Sequence, residues 1–144
     1  MKTIRTVALA CLLSISVPGL AQDKNIPPVV AKGFVAFQKN GSLAAIDAWL
    51  AGSARETDDD FQDQVAAKMN RVQGFFGRPT GFETIRVVPL SPSTQRVYVA
   101  AKFEKGVAWM SFDCFKPDKE WIITRLDFQT NANVVLPPNI LGGQ

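Results

Sequence analysis

The chain has 144 residues, of which 47% are hydrophobic, with 16 Lys+Arg against 13 Asp+Glu, two cysteines and no histidine. That length fits a single globular domain. The missing histidine excludes a Ser-His-Asp triad, a Cys-His dyad and a histidine metal centre, and the sequence contains neither a Gly-rich phosphate loop nor a Cys-x-x-Cys pair.

Residues 1–21, MKTIRTVALACLLSISVPGLA, place Lys2 and Arg5 before an uncharged apolar run, which Pro18-Gly19 breaks ahead of Ala21. This is the plan of a secretory signal peptide cut before Gln22, and it predicts a periplasmic or secreted protein. The run is short for a membrane span, which needs about 20 apolar residues, and no later stretch is apolar enough to serve as one. Ala8-Leu9-Ala10-Cys11 resembles a lipobox weakly, but a cut there would leave almost no apolar run in front of it. Cleavage before Gln22 removes Lys2 and Arg5, so the remaining charges nearly balance. The basic patch or stripe that nucleic-acid binding needs is therefore not expected. Cys11 leaves with the leader, and Cys114 then has no partner within the chain.

Residues 22–28 are polar, end in Pro27-Pro28 and read as a linker without structure of its own. The domain is expected over 29–136, with 137–144 as a tail. Val29, Val30, Phe34 and Phe37 mark a first helix ending at Asn40-Gly41. Ser42 can cap a second, whose stripe is Leu43, Ile46 and Trp49 or Leu50. Thr57 is the expected N-cap of a third, with Asp58, Asp59 and Asp60 in its first turn, where negative charge meets the positive end of the helix dipole. Phe61, Val65, Met69 and Val72 continue it to Gly74 or Gly77. The three aspartates lack the alternating ligands and following glycine of a calcium loop, so no metal site is assigned to them.

Beyond Gly81 the chain reads as strands: 82–88, 96–103, 107–115 and 121–129. "PLSPST" is a break between the first two, Glu104-Lys105-Gly106 a tight turn with glycine where a positive φ would fall, and "KPDKE" a hairpin loop. Segregated helices and an antiparallel four-stranded meander make an α+β domain. One set of alternating residues is apolar: Val97, Val99, Ala101 and Phe103; Ala108, Met110, Phe112 and Cys114; Ile122, Thr124, Leu126 and Phe128. The complementary set is mixed, and includes Tyr98, Lys102, Trp109, Ser111, Asp113, Trp121, Ile123, Arg125 and Asp127. Whether the apolar sets share a face depends on the register of the Glu104–Gly106 turn, and a shared face is the expectation.

The order of elements, with "GSLAAIDAWLAGS", "GFFGRPTGFETIRVV" and "RVYVAAKFEKGVAWMSFDCFKPDKEWIITRLDF", resembles small secreted members of the NTF2-like superfamily. These have a cystatin-like cone, a curved sheet wrapped around helices. The resemblance covers most of 29–136 and includes no catalytic signature. It implies a pocket between helices and sheet, often a homodimer through the open sheet face, and in some members carboxylates and tyrosines that catalyse isomerase or lyase chemistry.

Candidates for such chemistry here are Asp47, Asp113 and Asp127, with Tyr98 as the oxyanion donor. The structural alternatives are an exposed Asp47 and cross-strand ion pairs for Asp113 and Asp127 with Arg125 or Lys102. Tyr98, Trp109, Phe115, Trp121 and Arg125 are the residues expected to line a ligand or partner surface, and the aromatics among them serve equally well as core. Cys114 lies between two phenylalanines and beside Asp113, surroundings that raise a thiol pKa, so it reads as packing. The function expected is a non-catalytic exported domain without cofactor, binding a small apolar ligand or a protein partner. A carboxylate-dependent enzyme and a structural subunit of an envelope assembly are the alternatives.

Overall fold

The computed structural model describes residues 25–142. The leader expected over 1–21 lies outside them. The elements run α1 Pro28–Asn40, α2 Ser42–Leu50, α3 Asp59–Phe76, β1 Pro79–Ser91, β2 Thr94–Phe103, β3 Gly106–Phe115, β4 Ile122–Gln129 and α4 Ala132–Val135. The four strands form one antiparallel sheet in the order β1-β2-β3-β4, so the α+β reading of the sequence holds. No helix among the described residues is long and apolar enough to cross a membrane.

The chain enters the core before the expected boundary, because Ile26 and Pro27 are already buried. Pro28 then opens α1, where its missing N–H costs nothing and its fixed φ suits the first turn. α1 buries Val30, Phe34 and Phe37, and α2 buries Ala45, Ile46, Trp49 and Leu50. Leu43, expected in the α2 stripe, is 54% exposed. Its place is taken by Ser42, whose hydroxyl donates to Asn70 Oδ1 at 2.7 Å and ties α2 to α3. The two helices meet where Trp49 lies across Gly33. A Cβ on Gly33 would come within 2.0 Å of the indole, and the indole N–H donates to the Val30 carbonyl at 2.9 Å.

The N-cap of α3 is Asp58 rather than Thr57. Its carboxylate accepts from Phe61 N at 3.1 Å and pairs with Arg55 at 2.9 Å, so one side chain serves both the orphan N–H and the preceding loop. Asp59 and Asp60 fall in the first turn. Only part of α3 is seated: Met69 and Val72 are buried, Phe61 and Val65 half-buried, and Phe75 is 77% exposed.

β1 is longer than the expected 82–88. It starts at Pro79 and runs through Pro89 to Ser91, and it can include both prolines because it is an edge strand, where N–H donors are not all needed. The β2–β3 turn is the two-residue Glu104-Lys105, with Phe103 opposite Gly106. That register puts Val97, Val99 and Ala101 beside Phe112, Met110 and Ala108, and the apolar sets of β2 and β3 share the helix-facing side. Gly106 does not have the expected positive φ. Its requirement is room, since a Cβ there would meet the Phe76 ring at 2.5 Å. The turn is docked onto the α3–β1 connection: Glu104 accepts from the Arg78 backbone N–H and guanidinium, and these contacts hold its carboxyl below the ordinary range.

In β4 the expected alternation fails at one point. Leu126 and Phe128 face the core as predicted, but a bulge at Thr124 lets Arg125 pair with Asp113 and Ile123 with Cys114. An extra residue in one strand flips the side-chain phase, so Ile123 is fully buried whereas Ile122 is half-buried and Thr124 exposed. Thr124 stays tied to the sheet by donating to the Asp113 carbonyl at 3.2 Å.

Candidate functional site

The space between helices and sheet is filled by aromatic rings. Phe34 stacks on Phe82 with centroids 4.3 Å apart, and Trp49 meets Phe34 at 5.1 Å and Phe112 at 5.3 Å. The opening lies at the margin of this layer, where α1 and α2 approach the start of β4. There Val29, Val35, Ala48, Trp121 and Ile122 wall a groove of about 540 Å³. Ligand sites typically measure about 300–1,000 Å³ and are mostly apolar with a few polar groups. Lys32 and Glu120 supply the charges on this groove, and among the described residues neither takes part in an ion pair. Lys116 reaches over the Trp121 ring with Nζ 5.9 Å from its centroid. The groove can hold an apolar body and offers one positive and one negative group at its rim.

Of the five residues expected to contact a ligand or partner, Trp121 lines this groove. Tyr98, Trp109, Phe115 and Arg125 belong to the other side of the sheet, since each is next in its strand to a core residue: Val97, Met110, Cys114 and Leu126. The groove residues that sequence reasoning missed sit on α1 and α2. Val35 carries a signal: it falls off the Val30–Phe34–Phe37 stripe and is a large apolar side chain left 40% exposed.

The carboxylates expected for catalysis are not brought together. Asp47 is exposed on α2. Asp113 pairs with Arg96, whose Nη2 donates to Oδ2 at 2.9 Å alongside a second bond from Nε, and not with Lys102 or Arg125. The Asp113 carboxylate, followed by Tyr98, holds the Arg96 guanidinium above its ordinary pKa. Asp127 pairs with Arg125 at 3.0 Å, and Lys102 with Glu83. Together these residues form a polar row across β2, β3 and β4, from Arg96 through Asp113 to Arg125.

Tyr98 is buried on this same face, as is Ala100. The C-terminal segment packs on β3 and β4, with Leu136 buried outside the main core. Cys114 is buried at 2% exposure, and burial, with Asp113 beside it, pushes its thiol up to about 12. A thiol in that state is protonated at neutral pH and is not a nucleophile.

Comparison of the chain with protein-family models, with curated proteins and with solved structures found no match.

Proposed function

We propose that the chain is an exported, non-catalytic domain of NTF2-like type that holds a small apolar molecule in the groove between α1, α2 and the start of β4. The groove carries this reading: it is large enough for a ligand, walled by apolar side chains and bordered by the indole of Trp121. The carboxylates that an NTF2-like isomerase or lyase would use lie elsewhere, in ion pairs or on an exposed helix face. The leader pattern over 1–21 supports export. Lys32 and Glu120 at the rim, neither in an ion pair among the described residues, can each meet a polar end of that molecule.

The test is titration with 1-anilinonaphthalene-8-sulfonate, an apolar probe with one anionic group, read by its fluorescence. Saturable binding is expected, and it should weaken by about tenfold or more in Val35→Glu, which puts a negative charge into the wall beside the anionic probe, equivalent to about 1.4 kcal/mol. Val35 is 40% exposed, so that variant keeps its fold, as circular dichroism would verify. No saturable binding, or binding unchanged in Val35→Glu, would sink the assignment.

A further inference from the structure

β4 is hydrogen-bonded to β3 alone, and no other backbone hydrogen bond among the described residues reaches 122–129. Its outer edge therefore presents a row of free N–H and C=O groups, which water or another strand must satisfy. The opposite edge of the sheet is β1, which carries Pro79 and Pro89 and three register irregularities. Proline withholds a ladder donor, and repeated bulges twist an edge away from a partner. β4 contains no proline and has a single bulge, at Thr124.

Beside this edge lies a second depression, of about 260 Å³, between α3 and β4. It is lined by Phe61 and Val65 of α3 and by Leu126, Asp127, Phe128 and Gln129 of β4. Leu126 and Phe128 face the core whereas Asp127 and Gln129 face away from it, so the depression lies at the rim of the sheet itself. Phe61 and Val65 are half-buried there and would lose more contact with water if a strand lay alongside.

The sequence of the edge says which strand fits. Arg125 and Asp127 flank Leu126 on the face away from the helices. In an antiparallel pair, directly opposed residues share a face. A two-fold axis perpendicular to the sheet and midway between the two copies of Leu126 therefore sets Arg125 opposite Asp127 of the partner subunit, and the reciprocal pair forms on the other side of the axis. The segment is complementary to itself in that register, as an isologous interface requires. A register slipped by two residues would break both pairs.

We propose that β4 is a self-association edge, at which two copies of the chain join antiparallel through Thr124–Phe128 to make one continuous eight-stranded sheet. The Arg125–Asp127 contact seen within each copy is exchanged for a pair between copies, two contacts for two. The interface is distinct from the open sheet face, and the inference stands whether or not the groove at Trp121 holds a ligand.

Analytical ultracentrifugation of the purified protein over a wide concentration range tests it. A concentration-dependent monomer–dimer equilibrium is expected. Arg125→Asp and Asp127→Arg each turn two opposite-charge pairs into two like-charge pairs, and each should weaken self-association by about tenfold or more. Mixing these two variants restores both pairs in a heterodimer, so the mixture should associate as the parent does. Both positions are at least 38% exposed, so the variants should fold. Slowed exchange of the β4 amides at high concentration provides a second readout. A protein that stays monomeric throughout, a dimer indifferent to either substitution, or a mixture that fails to re-associate would each overturn the proposal.

Discussion

On the helix-facing side of β3, Met110 and Phe112 have no contact with water, whereas Trp109, Ser111 and Asp113, one residue away in the same strand, are all partly exposed. The first side is held by area and shape: rings from α1, α2 and the sheet meet at 4.3–6.1 Å, and Gly33 gives Trp49 its place. The second side is held by pairs, Arg96 with Asp113, Arg125 with Asp127 and Lys102 with Glu83. Burial is non-directional and scales with area, while exposed pairs are worth little singly, respond to salt and fix register. One strand thus serves stability with its even-numbered residues and specificity with its odd-numbered ones.

The largest effect that could break this contrast is at tryptophan. Trp49→Ala should cost about 3–5 kcal/mol in denaturant unfolding, the range for deleting a fully buried aromatic ring. Trp109→Ala, on the other face, should cost less than half as much. Equal losses would show that the second face is as much a core as the first.

The contrast sharpens with pH at Cys114. Its thiol ionises near 9 when unfolded and near 12 in the fold, so between those values the folded chain holds a proton that the unfolded chain has lost. Stability should therefore fall as pH rises through that window. At pH 10 the loss relative to Cys114→Ala should be about 1.4 kcal/mol more than at pH 7. Parallel pH profiles for the two proteins would mean that the thiol is open to solvent.

The smallest effect belongs to the paired face. Arg96→Ala should cost about 0.2–1 kcal/mol, and the cost should shrink in high salt. A larger, salt-independent loss would mean that the guanidinium holds Tyr98 by packing rather than by charge.

What could be read from the sequence divides along local and non-local lines. The order of helices and strands and the phase of β2 and β3 follow from alternation within one segment, and Phe112, Met110 and Cys114 could be assigned to the core without a structure. The phase of β4 could not, because the bulge at Thr124 is set by its pairing with Asp113 and Cys114 across a hairpin. The N-cap moved from Thr57 to Asp58 because Arg55 also uses that carboxylate. Gly106 reads from the sequence as a turn glycine, whereas the Phe76 ring, brought there by α3, is what requires it. The groove was legible only at Trp121. Val29, Val35 and Ala48 look like ordinary helix residues until the angle between two helices and a strand end leaves a gap among them.

The Gly33–Trp49 contact links two positions that lie in different helices. With no Cβ at 33, the indole can lie against the backbone of α1 and reach the Val30 carbonyl. A chain descended from the same ancestor that acquired even a methyl group at 33 would have to give up the indole at 49, and one that lost the indole would leave a hollow for a larger residue at 33 to fill. The two sites should therefore change together or not at all. A glycine sixteen residues before a tryptophan, bridging a helix–turn–helix, is a signature by which distant kin of this chain could be sought even where the rest of the sequence has drifted beyond alignment.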